Sequence, residues 1–134
     1  MNNIKFFSKK SQSIAEIRTK ITEYIKSFNA AISEDVLFDI RLCLEEALRN
    51  AMMHGNKMCQ DLQVNVSYNI ENDELVISIQ DEGEGFDPGS LPDPTKDENL
   101  YEDHGRGVFI MKKFMDSVEY NEKGNKVVMR KKLI

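Results

Sequence analysis

Apolar residues recur at three- and four-residue spacing over two stretches in the first half of the chain, which is the pattern of amphipathic helices. In the first stretch Ser11 or Ser13 can cap a helix, and the apolar positions that follow are Ile14, Ile17, Ile21, Ile25 and Phe28. The second stretch starts at Ser33 and Asp35, and we expect Gly55 to end it as a left-handed C-cap residue. These stretches predict two helices that each bury one stripe.

Alternation of apolar and polar residues predicts a sheet. The expected strands are residues 2–8, 62–70, 74–80, 117–121 and 126–132. The polar turn Glu71-Asn72-Asp73 joins the second strand to the third, and Gly124-Asn125 joins the last two. Before the last pair, a third helix has its inward positions at Val108, Met111, Phe114 and Met115.

Composition narrows the class of protein. With 134 residues, 40% of them apolar and 31% charged, we expect a single domain over residues 1–134. No apolar run approaches the ~18 residues of a membrane span, and no secretory signal is visible. The net charge of −5 argues against nucleic-acid binding. Cys43 and Cys59 lack metal-ligand spacing, and a cytoplasmic protein with reduced thiols is expected.

The stretch LCLEEALRNAMMHGN, residues 42–56, holds the first candidate for chemistry. On a helical wheel Glu46 and Asn50 lie one turn apart at the border of the apolar stripe, while Glu45 points to solvent. A carboxylate beside a carboxamide suits a general base next to a metal ligand. An ordinary helix rim explains the same pattern, and this stretch alone leaves both interpretations open.

Asp81 is the second candidate. By strand parity it continues the buried face formed by Leu75, Ile77 and Ile79, and an unpaired buried charge costs several kcal/mol. The sequence DEGEGFDP starts at Asp81, and its glycines allow a backbone to come close to a ligand. A ligand is therefore favoured as the partner of Asp81. The alternative is a tight turn in which Asp81 bonds its own backbone.

The third candidate follows a long loop. Residues 88–104 contain all three prolines and several acids, which is typical of a lid or an insert. Two glycines then precede the third helix in HGRGVFIM. Such an entry presents free N–H groups and the positive end of the helix dipole to an anion, although GRG alone is weak evidence.

Several common sites are absent: the chain has no GxxxxGK[ST], no complete GxGxxG, no Ser/His/Asp hydrolase set and no zinc-ligand pattern. In order it carries ExxxNAxxHG (Glu46 to Gly55), DxGxG (Asp81 to Gly85) and GxG (Gly105 to Gly107). These motifs resemble the N, G1 and G2 boxes of the Bergerat-fold ATPases, the superfamily of sensor histidine kinases and type II topoisomerases.

Within that superfamily the chain is most similar to the small anti-sigma-factor serine kinases of the RsbW/SpoIIAB type. They share GRGxFIMxxxMDxVEY, here residues 105–120, together with FDP at 86–88 and LPDP at 91–94. The resemblance covers essentially the whole chain. It implies an α+β Bergerat (histidine kinase-like ATPase) fold: a two-layer sandwich of a mixed, mostly antiparallel sheet with about three helices on one face, and a mobile ATP lid at about 87–104.

The resemblance also implies a role for each matching residue. Asn50 would ligate Mg²⁺, for which an amide oxygen is a suitable hard ligand. Asp81 would accept a hydrogen bond from the adenine amino group, worth about 1.5–3 kcal/mol. Glu46 would be the general base that takes the proton from a serine hydroxyl, since phosphoryl transfer asks mainly for positioning and charge neutralisation.

The remaining implied contacts to ATP or ADP surround these three residues. They are Gly83 and Gly85 near the base, and the backbone N–H groups of Gly105, Arg106 and Gly107 near the phosphates. Asn125 stands where the family often has Thr or Ser reaching adenine through water, and its amide can make a similar bond. His54, in the family's HG pair, is expected to act structurally through the helix dipole.

Two functions remain open. The first is a protein serine kinase that also holds a sigma factor inactive and phosphorylates an anti-anti-sigma partner with a STAS domain, working as a homodimer. The second is a non-catalytic module that binds a partner when ATP orders the lid, which the presence of Glu46 argues against. The catalytic half of a histidine kinase is disfavoured because no helix pair with a phospho-acceptor histidine precedes the domain. A topoisomerase-like machine is disfavoured by length.

Overall fold

The computed structural model describes residues 2–8, 13–85 and 103–134, except for the side chains of Asp103 and His104. The elements are β1 (Asn2–Phe7), α1 (Ser13–Phe28), α2 (Glu34–Arg49), a π-helical segment (Asn50–Gly55), β2 (Gln63–Glu71), β3 (Glu74–Gln80), α3 (Asp103–Phe114), β4 (Ser117–Tyr120) and β5 (Lys126–Lys132). Ser11 and the expected lid at about 87–104 lie outside the described residues, apart from the backbone of residues 103 and 104.

The strands form one five-stranded sheet in the order β1-β2-β3-β5-β4. Each of the four neighbouring pairs is antiparallel. Between β2 and β3 the turn residues Asn72 and Asp73 both have positive φ, 53° and 63°, as two-residue hairpin turns require. The predicted hairpins are confirmed. A mixed, mostly antiparallel sheet was expected. The antiparallel pairing is confirmed, and among the described residues no pair of strands is parallel.

One hydrophobic core lies between the helices and one face of the sheet. The helices contribute Ile17, Ile21, Ile25, Leu37, Ile40, Cys43, Leu44, Leu48 and Met111, and the strands contribute Val64, Val66, Leu75, Ile77, Ile79, Val127 and Met129. This arrangement confirms the two-layer α+β fold. Phe28 is 42% exposed, so the buried stripe of α1 ends one turn earlier than predicted.

The start of α2 agrees with the sequence and its end does not. Ser33 is the N-cap, and its hydroxyl oxygen accepts a hydrogen bond of 3.2 Å from the Val36 N–H. Gly55 was expected in the left-handed conformation, which is wrong. The left-handed residues are Lys57 and Met58, with φ of 52° and 57°, because the helix continues as the π-helical segment and the chain reverses after it.

The glycines of GRG were expected to precede the third helix, and this expectation is also wrong. The helix α3 starts at Asp103, so Gly105 and Gly107 are its third and fifth residues. Only the first four N–H groups of a helix lack a partner within it. The N–H of Gly105 therefore has no acceptor within the helix and could meet an anion, and Gly107 serves the site in another way, described below.

Two further expectations concern the cysteines and the membrane. Cys43 and Cys59 are both free thiols, as expected, and burial, together with the negative charge of Asp39, raises the pKa of the Cys43 thiol to about 12. Cys43 is therefore a protonated core residue at neutral pH.

Among the described helices, none has the length and apolar character needed to cross a membrane.

Candidate functional site

A cleft of about 220 Å³ lies between the helical layer and the ends of β3, β4 and β5. Its lining residues are Ala47, Asn50, Ala51, His54, Gly55, Ile79, Asp81, Gly85, Tyr120, Gly124, Asn125, Lys126 and Val127. The structure thus brings Asn50, Asp81, Gly85 and Asn125 together, although the sequence separates the first and the last by 75 positions. A shared cleft is what a common ligand requires.

Asp81 lies directly after β3 and is only 8% exposed, which confirms its predicted inward direction. Its Oδ1 accepts a hydrogen bond of 2.8 Å from the Gly83 N–H, so the tight-turn bond that the sequence left open is present on one carboxylate oxygen. Burial raises the pKa of Asp81 above its usual value, against the lowering effects of the Gly83 N–H and the Lys123 charge. An acid buried at the wall of a cleft is suited to accept from a ligand donor.

Two glycines allow the Asp81 turn to approach the end of the π-helical segment. A Cβ atom on Gly55 would overlap the Asp81 carboxylate, and one on Gly83 would overlap the Gly55 carbonyl oxygen. Neither glycine has a positive φ. Both positions require glycine because of close packing, so their presence fixes the Asp81 carboxylate against the helix end.

Asn125 reaches the cleft from the β4–β5 turn and is held there by protein partners. Its Oδ1 accepts a hydrogen bond of 2.7 Å from Asn121 Nδ2, and its Nδ2 donates to the Asp81 carbonyl at 3.4 Å. Its backbone carbonyl accepts from the Asp81 N–H at 2.9 Å. Asn125 therefore lies beside Asp81, with both ends of its amide engaged within the protein, and its implied bond to adenine stays a prediction.

A second, smaller cavity of about 50 Å³ adjoins the cleft, and Asn50 and His54 line both. Glu46 lines the second cavity together with Arg49, Met53 and Arg106. The Glu46 side chain is 16% exposed, and its Oε1 lies 3.5 Å from Arg49 Nη1. The carboxylate and the carboxamide predicted at the helix border thus face one continuous hollow.

Asn50 stands where α2 changes into the π-helical segment, and its backbone N–H is directed at both the Ala47 and the Glu46 carbonyl. Short π-helical turns are frequent at functional sites. The Nδ2 atom of Asn50 is buried and has no hydrogen-bond partner among the described residues. A half-turn of the amide exchanges its two ends, so the unpaired position can hold either the nitrogen or the oxygen of this side chain.

An unsatisfied amide at the wall of the cleft fits the Mg²⁺ ligand that the resemblance implied. The described residues contain no group of three or more His, Cys, Asp and Glu side chains that could hold a metal ion. A magnesium ion here would take one protein ligand from Asn50 and the others from phosphates and water, which is how Mg²⁺ is commonly bound.

Gly107 brings α3 close to Glu46 and Asn50. A Cβ atom on this glycine would lie 3.0 Å from Glu46 Oε2 and 3.0 Å from Asn50 Nδ2. Its lack of a side chain lets the start of α3 lie against both polar side chains. The functional value of Gly107 is thus the space it leaves.

Sequence reasoning missed three residues at or near this site. Tyr120 lines the cleft, and its pKa is raised by burial and by the charge of Asp81. Arg49 pairs with Glu46, and their i,i+3 spacing was a readable signal. Asn56 is buried behind the Asp81 turn and makes hydrogen bonds to three segments, which no local pattern indicates.

Comparison with known proteins agrees with this geometry. Residues 7–131 match the family model of the histidine kinase-like ATPase domain. The chain belongs to this family. The catalytic domain of the histidine kinase ThkA, solved in a nucleotide-free form, aligns with a TM-score of 0.52 over 99% of this chain and 98% of that one, at 14% identity. That likeness supports the Bergerat fold predicted from the motifs.

Relatives with higher identity carry a more specific name. An anti-sigma F factor of Clostridium perfringens is 33% identical over 95% of this chain and 93% of its own length. Those of Clostridium beijerinckii and Oceanobacillus iheyensis are 33% and 32% identical, over 94% and 95% of this chain and 90% and 89% of their own lengths. The recognition of an RsbW/SpoIIAB-like ATPase from its motifs is confirmed.

Proposed function

We propose that this protein is an ATP-dependent serine kinase and anti-sigma factor that phosphorylates an anti-anti-sigma partner with a STAS domain. The arrangement of the two cavities carries the proposal: Asp81 and Asn50 line the cleft, and Glu46 lines the adjoining cavity together with Asn50. A nucleotide bound along this wall would have its adenine at Asp81 and its phosphates near Glu46, the proposed general base. The name shared by its relatives, anti-sigma F factor, supports the binding of a sigma factor.

Each part of the bound nucleotide is proposed to contact different residues of the site. Asp81 accepts from the adenine amino group and sets the position of the base, with Gly83 and Gly85 beside it. Asn50 would hold Mg²⁺, which would neutralise charge on the phosphates. The N–H of Gly105, at the start of α3, would face the phosphates, with Arg106 beside it.

Glu46 supplies the proposed chemical step. Its carboxylate takes the proton from the serine hydroxyl of the partner as that oxygen attacks the terminal phosphorus, and the bond to the departing ADP oxygen breaks. The neighbouring Arg49 orients the carboxylate by ion pairing at 3.5 Å. General-base assistance of this kind is worth about 10²–10⁴-fold in rate.

The regulatory part of the proposal concerns the partners. A sigma factor is held inactive in the cytoplasm, where transcription takes place, until the unphosphorylated partner displaces it, and phosphorylation of that partner resets the system. The chain acts as one domain over residues 1–134, with a lid at about 87–104, and as a homodimer.

The decisive experiment incubates the purified protein with Mg²⁺, ATP labelled on its γ-phosphate and an extract of its source cells. We expect one small protein to be labelled, and phosphoamino-acid analysis to find the label on serine. Tight ATP binding without any labelled protein would favour the alternative, a non-catalytic module that binds its partner when ATP is present. Failure to bind ATP at all would contradict both.

Replacement of His54 tests whether the side chain that lines both cavities takes part in transfer. We expect His54→Gln to keep labelling within about tenfold of the wild type, because glutamine retains hydrogen-bonding capacity and the helix-end position favours a structural role. The initial rate of serine labelling measures the effect. Complete loss, with unchanged ATP affinity, would instead identify His54 as a phosphoryl carrier or base.

A further inference from the structure

Asn56 follows the π-helical segment and is 1% exposed. Its Nδ2 donates to Ser8 Oγ at 2.8 Å and to the Gln63 carbonyl at 2.9 Å. Its Oδ1 accepts from the Glu82 N–H at 2.8 Å. One buried side chain thus joins the end of β1, the start of β2 and the turn that carries Asp81.

A second bond holds the same turn from outside. Glu82 Oε1 accepts from the Gln63 N–H at 2.6 Å, so the backbone and the side chain of Glu82 are both tied to elements other than β3. Asn56 and Glu82 are called the turn clamp here, together with two bonds: the one from the Glu82 N–H to Asn56 Oδ1 and the one from the Gln63 N–H to Glu82 Oε1. Gly83 packs on the Gly55 carbonyl in the same place, and the clamp keeps that close packing in register.

We propose that Asn56 and Glu82 are positioning residues that aim the Asp81 carboxylate at the exocyclic amino group of the bound purine. The inference rests on the proposed binding of ATP. Asp81 has its own bonds to Gly83 and Asn125, but these lie within the turn and at its β5 side. The clamp supplies the fixed point on the helical side, facing the π-helical segment.

The clamp is proposed to affect recognition of the purine, whereas the phosphates are bound by other elements. The proposed phosphate contacts come from Asn50 and the start of α3, whereas the Asn56 side chain bonds to Ser8, Gln63 and Glu82 among the residues that the structure describes. Loosening the clamp should therefore weaken recognition of the purine amino group more than binding of the triphosphate. A general loss of structure would weaken both together, which makes the two explanations separable.

The test compares the dissociation constants of ATP and inosine triphosphate, which carries a carbonyl in place of the amino group, by calorimetry. For the wild type we expect ATP to bind about 10–100-fold more tightly, from one charge-assisted hydrogen bond. In Asn56→Ala this ratio should fall about tenfold, through a weaker affinity for ATP and a nearly unchanged affinity for inosine triphosphate.

Two further variants keep the test independent of how well Asn56→Ala folds. Glu82→Ala changes an exposed residue and removes the outer bond, and should lower the ratio about twofold to fivefold. Ser8→Ala removes the partner of Asn56 that lies away from the turn. It should lower the melting temperature while leaving the ratio within about twofold of the wild type, because the bond to Glu82 remains.

Each outcome decides something. A wild-type protein that binds ATP selectively, with Glu82→Ala and Asn56→Ala keeping that selectivity, would overturn the positioning role and leave the proposed function intact. Equal losses for both nucleotides in the variants would show a merely structural role. If the wild type bound ATP and inosine triphosphate equally well, Asp81 would not contact the purine amino group, and the proposed role of the clamp would be wrong. Absence of any nucleotide binding would end the proposed function itself.

Discussion

The Glu46→Gln variant is expected to lose phosphoryl transfer to the partner serine while it still binds ATP. Glutamine has nearly the same size as glutamate and fits beside Gly107, but its amide accepts no proton at neutral pH. We expect the rate of serine labelling to fall about 10²–10⁴-fold, the range that a general base contributes. The affinity for ATP should stay within about twofold of the wild type, because the proposed contact between Asp81 and adenine is unchanged.

The adjacent residue provides the matched control for this prediction. Glu45→Gln makes the same chemical change one position earlier, on a side chain that is 42% exposed and pairs with Arg18 at 3.5 Å. An exposed ion pair of this kind contributes about 0–1 kcal/mol, so labelling should be nearly unchanged. Comparable losses in both variants, or full activity of Glu46→Gln, would show that Glu46 is not the base.

The Asp81→Asn variant is expected to bind ATP about 10–100-fold more weakly, because the charge assistance of the bond to adenine is lost. The variant keeps the shape of the side chain, and its amide oxygen can still accept from the Gly83 N–H. Isothermal calorimetry with ATP and inosine triphosphate measures the loss, which should be larger for ATP. Unchanged ATP affinity would place adenine elsewhere.

The same variant should be more stable than the wild type when no nucleotide is bound. Burial raises the pKa of Asp81 in the folded state, so the charged carboxylate is less stable in the folded protein than in the unfolded chain. The folded state binds more protons between the usual and the raised pKa, and the wild type therefore loses stability as the pH rises through that interval. Asparagine removes this loss.

Urea denaturation at several pH values checks the sign. The gain in unfolding free energy of Asp81→Asn should be largest at pH values above the raised pKa of Asp81 and should vanish as the pH falls below 3.8, the usual pKa of an aspartate. A gain that persists in acid would come from packing or hydrogen bonding instead. Greater stability with weaker ATP binding would mark Asp81 as a group kept for function at a cost to the fold.

The periodicity of the sequence predicted nearly every element because the buried faces are formed by local repeats. The three- and four-residue spacing of α1 and α2 and the alternation of β2 and β3 each determine which side chains meet the core. Strand parity placed Asp81 on the buried side for the same reason. Predictions at element ends were less accurate, since the start of α3 depends on how residues beyond the periodic stripe are packed.

The structure brings several of the predicted site residues into one cleft, while their roles stay a prediction and the local geometry was foreseen only in part. Two of the three motifs contain Glu46, Asn50 and Asp81, and these residues could be named because each motif is contiguous in the chain. The π-helical segment was not foreseen, since a helical repeat in the sequence does not distinguish an α-helical turn from a π-helical one. Gly55 was assigned a conformational role, whereas its position is explained by the space that the Asp81 carboxylate occupies.

The sequence by itself therefore determined the layer architecture, the buried direction of Asp81 and the membership of an ATPase family. Tertiary structure alone decided what lies behind Asp81 and beside Glu46. Asn56 meets Ser8 and Glu82 across 48 and 26 positions of the chain, and Gly107 meets Asn50 across the interface of α2 and α3. Contacts of that kind depend on how the completed layers pack, and no local pattern of residues encodes them.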